Sequence, residues 1–293
     1  MSLKLPNRIS LAQWSLHRML NDGTLDPGDF PKMTRDVFGL DAVEYVNSFY
    51  RKWATDESYF RTLRKKCDQL GVRSLLIMCD GEGDLGDPDP AKRRTAVENH
   101  RKWLEAAKIL GCHSIRVNAK SSGSYEEQRE RAAEGLGALG ALAEPYDLDV
   151  LVENHGGLSS NGAWLASVMT TVARSNVGTL PDFGNFLLAD GTWYDRYKGV
   201  TQLMPFAKAV SAKSRKFDAD GVESETDFAR MMEIVRYAKY RGWVGIEWEG
   251  GAPSEHEGIL LTKRLLEKTG CVAARTGDGP FDVGPAGGAI DAR

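Results

Sequence analysis

Short apolar, β-prone runs recur along this chain at intervals of roughly 30 to 40 residues, and each is followed by a stretch of helical periodicity. The strand-like runs cover residues 8–14, 41–46, 72–78, 113–117, 150–152, 177–180, 209–213 and 243–248. Helical patterns follow near 30–38 and over 57–70, 91–110, 125–144, 161–172, 194–204, 226–240 and 255–268, with Gly71 and Gly111 as stops and Asn161 as a cap. Eight such units in about 260 residues predict an α/β chain folded as a (β/α)8 TIM barrel. Nearly continuous apolar strands agree with a parallel sheet covered on both faces. An open doubly wound sheet is the alternative, but no strand leads into G-x-G-x-x-G or a phosphate-binding loop, so no nucleotide cofactor is expected.

The expected organisation is one barrel domain over 8–270 and a flexible Gly/Pro/Ala-rich tail over 273–293. A formal net charge of -3 gives no electrostatic reason to expect nucleic acid or an anionic membrane as partner. Residues 1–7 hold no apolar signal core, and no apolar run is long enough to span a bilayer. The four cysteines form no C-x-x-C pair. The expectation is a soluble protein in a reducing cytoplasm, with no membrane partner.

Where the strands end, the chemistry changes. Val150-Leu151-Val152 runs into Glu153-Asn154-His155 and then turns at Gly156-Gly157. Thr179-Leu180-Pro181 runs into Asp182, and Val244-Gly245-Ile246 into Glu247. In a barrel these ends converge on one mouth. Glu44, Asn118, Ser211, Lys213 and Glu249 belong to the same mouth, with Ser211 and Lys213 pointing to the same side of their strand. Three carboxylates placed together raise one another's pKa unless a cation neutralises them. A divalent ion does so, and all-oxygen ligation favours Mg²⁺ or Mn²⁺. Lys213 is the other candidate cation.

The segments Val150-Leu151-Val152-Glu153-Asn154-His155, Leu180-Pro181-Asp182-Phe183-Gly184-Asn185, Val210-Ser211-Ala212-Lys213 and Gly245-Ile246-Glu247 resemble, in that order and spacing, the xylose isomerase-like barrels of the sugar phosphate isomerase/epimerase family. The resemblance implies one divalent metal held by Glu153, Asp182, Glu247 and the residue at the position of Ser211. It also implies a small carbohydrate substrate, isomerised or epimerised through an enediolate, with Glu153 and Glu247 moving the proton. Two departures are visible: the family's His-x-Lys is Ser211-Ala212-Lys213, and a histidine often found three residues past the aspartate is Asn185. Both remove imidazole and count against zinc. The same site could expel a leaving group, which gives a dehydratase or lyase on a keto sugar or keto-inositol as the alternative; a sugar-binding barrel without catalysis is another. An AP endonuclease, which would call for several zinc ions and a basic track, fits poorly with five histidines and this charge. Family barrels often pair, so a homo-oligomer is expected, although no sequence feature marks an interface.

Several positions also have plain structural readings. His155 and His17 are candidate substrate contacts, as are Lys213, Glu44, Asn118 and Asn185. A hydrogen-bonded loop histidine explains His155 as well, and a surface role suits His17. His100 and His113 read as structural, and Glu249 as a rim salt bridge. The acidic loop over 80–89 reads as solvated, or as a lid.

Overall fold

The computed structural model describes residues 7–273, so the part of the predicted tail beyond residue 273 lies outside the described residues. The eight expected strands are present: β1 Arg8–Ala12, β2 Ala42–Val46, β3 Arg73–Met78, β4 Ser114–Val117, β5 Asp149–Glu153, β6 Val177–Leu180, β7 Val210–Ser214 and β8 Trp243–Trp248. All paired neighbours are parallel, in the order β6-β5-β4-β3-β2-β1-β8-β7. The two outer strands meet across a looser seam. Lys208 N–H donates to Thr179 O, Ser211 N–H to Pro181 O and Phe183 N–H to Ser211 O, each at 3.0 Å. Pro181 has no N–H to give back, which is why isolated bridges replace a ladder here. The sheet curls on itself as a TIM barrel.

The helices are α1 His17–Asn21, α2 Phe30–Asp36, α3 Glu57–Leu70, α4 Pro90–Asn99, α5 Arg101–Leu110, α6 Tyr125–Ala143, α7 Gly162–Val172, α8 Arg196–Leu203, α9 Phe228–Tyr237 and α10 Glu255–Lys268. Their starts follow from local chemistry. Asp56 accepts the first N–H groups of α3, Ser124 and Glu127 form a capping box on α6, and Asn161 caps α7. The long helix predicted over 91–110 is two helices, broken at His100. There the imidazole Nδ1 takes Ala96 O at 2.7 Å, so the backbone N–H of His100 turns to Val97 O instead of continuing the i→i−4 ladder. None of the helices among the described residues is long and apolar enough to cross a membrane.

Strand alternation separates two cores. Val150 and Val152 face the helices and join Trp103, Leu136 and Trp164, whereas Leu151 joins Ala12, Val46, Leu76, Met78 and Leu180 inside the barrel. Beyond this apolar plug the inward positions become polar with Glu153 on β5 and Ser211 and Lys213 on β7, joined by Arg116 on β4 and Glu247 on β8. Ser10 and Glu44 come before Ala12 and Val46 on β1 and β2 and lie deeper in the barrel; all are buried. The fold therefore gathers Arg116, Glu153, Lys213 and Glu247 near the C-terminal ends of their strands.

Helices α7 and α8 approach closely because Gly162 and Gly199 face each other; a side chain on Gly162 would stand 2.6 Å from Gly199 Cα. A methyl group on Gly199 would lie 2.1 Å from Phe186 Cε1, in a ring that is fully buried. Gly199→Ala should therefore cost about 1–3 kcal/mol of stability by overpacking, read as a lower midpoint in urea unfolding.

Candidate active site

Four strand ends build the centre. Glu153 closes β5, Asp182 follows β6, Ser211 and Lys213 lie on β7, and Glu247 lies on β8. Glu153, Asp182 and Glu247 each offer one carboxylate oxygen, and these oxygens lie within 4.8 Å of one another. Glu153 and Asp182 are fully buried and Glu247 nearly so.

The backbone around them is pinned. Asn154 ties the end of β5 to the turn after β6, accepting from Asp182 N–H at 2.7 Å and donating to Asp182 O at 3.0 Å. Asp182 Oδ1 then accepts two N–H groups, from Gly184 and Asn185, both at 2.8 Å. Asn185 Nδ2 donates to Glu153 Oε1 at 2.9 Å. Ser211 Oγ lies 2.7 Å from Asp182 Oδ2 and 2.8 Å from Glu247 Oε2. A hydroxyl carries one hydrogen, so Ser211 can donate to only one of these carboxylates. The other contact is satisfied by a proton on that carboxyl, or by a cation between the oxygens.

Two buried cations face the cluster from opposite sides. Arg116, inward on β4, brings Nε to 2.9 Å from Glu153 Oε2, close enough for an ion pair but without hydrogen-bond alignment. Its Nη1 donates to Asp80 Oδ1 at 2.8 Å. Lys213 Nζ lies 3.1 Å from Glu247 Oε1 and 3.3 Å from Glu249 Oε2. Burial pushes the Glu153 and Asp182 carboxyls well above the usual carboxylate range, and Arg116 and Lys213 offset only part of that. Burial would lower the ammonium of Lys213, but Glu247, Asp182, Glu153 and Glu249 outweigh it and raise it. Glu249 goes the other way: despite its desolvation, Lys213 and Arg215 hold it down at about 2.

The remaining candidates separate clearly. Asn185 touches both Glu153 and the cationic side, since its Oδ1 accepts from Arg215 Nη2 at 2.9 Å. His155 is exposed on the rim, its basicity lowered by desolvation and by Arg116 and Lys213 below it. Glu44 lies deeper in the barrel, 1% exposed, accepting from Ser10 Oγ at 2.6 Å while its Oε2 has no hydrogen-bond partner. Burial, followed by the charges of Glu247 and Glu153, lifts it to about 7. Asn118 turns toward the loop after β3 and donates to Asp80 Oδ1 at 2.7 Å. His17 stacks on Trp14, with Nδ1 2.8 Å from Trp14 O and 3.6 Å from Glu255; these contacts keep it out of the carboxylate cluster.

Sequence reasoning missed Arg116, Asp80 and Arg215. Arg116 was legible: in Ser114-Ile115-Arg116-Val117 it has the inward parity, where an unpaired guanidinium would be costly. Asp80 and Glu82 correct the picture of a solvated loop. Asp80 binds Arg116 and Asn118, while Glu82 is 9% exposed and accepts from Trp103 Nε1 at 2.7 Å.

The residues fit a hard divalent cation: three carboxylates converge, the donors are all oxygen, and Glu153 Oε2 has no hydrogen-bond partner. The Ser211 hydroxyl is the fourth oxygen in reach.

Residues 36–268 match the model of a family described as xylose isomerase-like TIM barrels. Among curated proteins, none matches the chain by sequence. Solved structures share the fold at low identity. A xylose isomerase domain protein from Planctomyces limnophilus superposes with a TM-score of 0.66 at 14% identity, over 92% of this chain and 98% of that one. The 3-keto-D-glucoside 4-epimerase of E. coli gives 0.66 at 14%, over 89% and 99%. The IolI protein with a bound zinc atom gives 0.68 at 14%, over 89% and 97%.

Two outcomes follow from the charge layer. Arg116→Met leaves Glu153 facing an apolar side chain, and should cost about 3–5 kcal/mol in urea unfolding at pH 8. Glu44 has a folded-state pKa near 7, above its ordinary value of 4.5, so its contribution to stability is complete below about pH 4.5 and is lost as pH rises through 7. Glu44→Gln should therefore raise the melting temperature at pH 8 and leave it nearly unchanged at pH 5.

Proposed function

The chain belongs to the family of xylose isomerase-like TIM barrels, and from that premise we propose that it is a metal-dependent isomerase or epimerase of small carbohydrates that moves a proton next to a carbonyl. The observation that carries this reading is the buried set of Glu153, Asp182 and Glu247, with ligand oxygens within 4.8 Å of one another. Structural neighbours that are sugar epimerases, D-psicose 3-epimerase and L-ribulose 3-epimerase among them, support it.

Glu153, Asp182 and Glu247 would hold the ion, with Ser211 as the fourth oxygen. All-oxygen donors favour Mg²⁺ or Mn²⁺ over zinc. A divalent ion there polarises a carbonyl and makes the neighbouring C–H more acidic. Glu153 and Glu247 are the proton-transfer groups. Each stands beside its own cation, Arg116 for Glu153 and Lys213 for Glu247. Burial pulls Glu153 toward the neutral acid while Arg116 favours the carboxylate; an ion held there would add to Arg116 and keep Glu153 in the carboxylate form a general base needs. Asn185 and Lys213 fix the orientation of these carboxylates and present polar groups to substrate hydroxyls.

The test is solvent deuterium uptake into neutral ketohexoses in the presence of Mn²⁺ or Mg²⁺. Uptake with unchanged sugar mass, apart from the exchanged hydrogen, is the expected result. Glu153→Gln and Glu247→Gln should each slow it by about 10²- to 10⁴-fold while keeping the circular dichroism of the parent. Unchanged turnover in both variants would overturn the assignment, and loss of water from the sugar would make the enzyme a dehydratase.

A further inference from the structure

Three cations stand around the carboxylates, and they differ in what their N–H groups do. Lys213 Nζ has Glu247 Oε1 at 3.1 Å, Glu249 Oε2 at 3.3 Å and Asn185 Oδ1 at 3.4 Å, an acceptor for each of its hydrogens. Arg215 uses all of its nitrogens: Nε donates to Glu249, Nη2 to Asn185 and Glu249, and Nη1 to Gly184 O. Arg116 is different. Its Nη1 donates to Asp80 Oδ1, but Nε is sealed from solvent without an aligned acceptor, and Nη2 makes no hydrogen bond at all.

Nε and Nη2 form one edge of the guanidinium, with two N–H bonds directed the same way. That edge lies beside Glu153, whose Oε2 is 2.9 Å from Nε yet takes no hydrogen bond. The other oxygen of Glu153 is already held by Asn185. Arg116 is fixed from behind. Asp80 Oδ1 takes Asn118 Nδ2 as well as Arg116, and Asn47, itself fully buried, clamps the Asp80 backbone by donating to its O and accepting from its N–H, both at 3.0 Å. A guanidinium only 4% exposed, held in place and with one edge unmatched, calls for an acceptor oxygen at that edge.

We infer that Arg116 is a further catalytic residue, which donates from its Nε–Nη2 edge to the substrate oxygen that becomes anionic in the enediolate. The inference rests on the isomerase or epimerase reading for the reaction; the unmatched edge beside Glu153 selects the residue. An oxygen that accepts from this edge lies next to the carbon whose proton Glu153 removes. As that proton passes to Glu153, the C–H electron pair forms the new C=C bond and the carbonyl π pair moves onto the oxygen. Return of a proton to carbon reverses the flow and restores a carbonyl. Hydrogen bonds from a charged donor strengthen as their acceptor gains charge, so the edge favours the enediolate over the ketose.

The experiment compares the full chain with Arg116→Lys, both with Mg²⁺. The variant keeps a positive charge beside Glu153 and Asp80 but loses the two-pronged edge; Arg116→Gln serves if the lysine variant does not fold. The probe is D-threonohydroxamate, a planar mimic of a sugar enediolate, titrated by calorimetry. Circular dichroism and Mg²⁺ binding should match in the two proteins, while the hydroxamate binds the variant about 100-fold more weakly. In the parent labelled with ¹⁵N-arginine, the Nε–H signal that is missing from the variant should move downfield in its proton dimension on adding the hydroxamate. Deuterium uptake into D-psicose, D-fructose and D-tagatose is followed in parallel, and for any sugar that exchanges, the variant should lose about 10²-fold in kcat with KM nearly unchanged. Equal hydroxamate affinity, an unmoved Nε–H signal or unchanged kcat would overturn the inference and leave the proposed function standing. Loss of Mg²⁺ binding in the variant would reduce Arg116 to a support for Glu153 and overturn the inference as well. A parent that exchanges no sugar, but whose Arg116 signal moves with the hydroxamate, would overturn the proposed function and leave the Arg116 contact standing.

Discussion

Three carboxylates without water cannot all carry charge unless positive charge reaches them, and the upper half of this barrel is organised around that constraint. Glu153, Asp182 and Glu247 come from three different strands, so nothing local brings them together. Their convergence is a property of the closed sheet, including the loose seam at Pro181 that sets Asp182 against Ser211. Arg116 and Lys213 supply two positive charges from either side, and both are themselves buried. Neither stands free: Arg116 is shared with Asp80, and Lys213 with Glu249. The layer thus retains a negative excess at its centre, which is the electrostatic argument for a divalent ion.

Ser211 places a hydroxyl between two of these carboxylates. An imidazole at this position would add a nitrogen donor; a hydroxyl adds an oxygen and, with no ion present, a single hydrogen to share between Asp182 and Glu247. Asn185 has a parallel effect on the other side. Its amide bridges Glu153 to Arg215 by donating from Nδ2 and accepting at Oδ1, a pairing an amide makes without changing its charge. The polar layer holds its shape through neutral bridges between charged groups.

How much of this was legible in the sequence depends on the range of the interaction. Strand positions and the three carboxylates were readable, because period-two alternation and an abrupt polar ending are local patterns. The break at His100 was not, since the pattern of apolar residues continues across it; the cause is a side chain capturing one carbonyl. The inward parity of Arg116 was legible, but its role was not, because its partners Asp80 and Glu153 come from the loop after β3 and from β5. His17 looked like a mouth residue by position alone, but the turn after β1 stacks it on Trp14 and points it toward Glu255. Local sequence reported direction along a strand well and direction within a loop poorly.

The central claim is that the buried carboxylates form one cation site, and calorimetric titration with Mn²⁺ tests it most directly, comparing the parent with Asp182→Ala. The account predicts about one Mn²⁺ bound per chain by the parent and none by the variant at the same concentrations, with both proteins folded by circular dichroism. A parent that takes up no Mn²⁺ or Mg²⁺ even in large excess would contradict it. Arg116 and Lys213 would then be the complete answer to the buried charge.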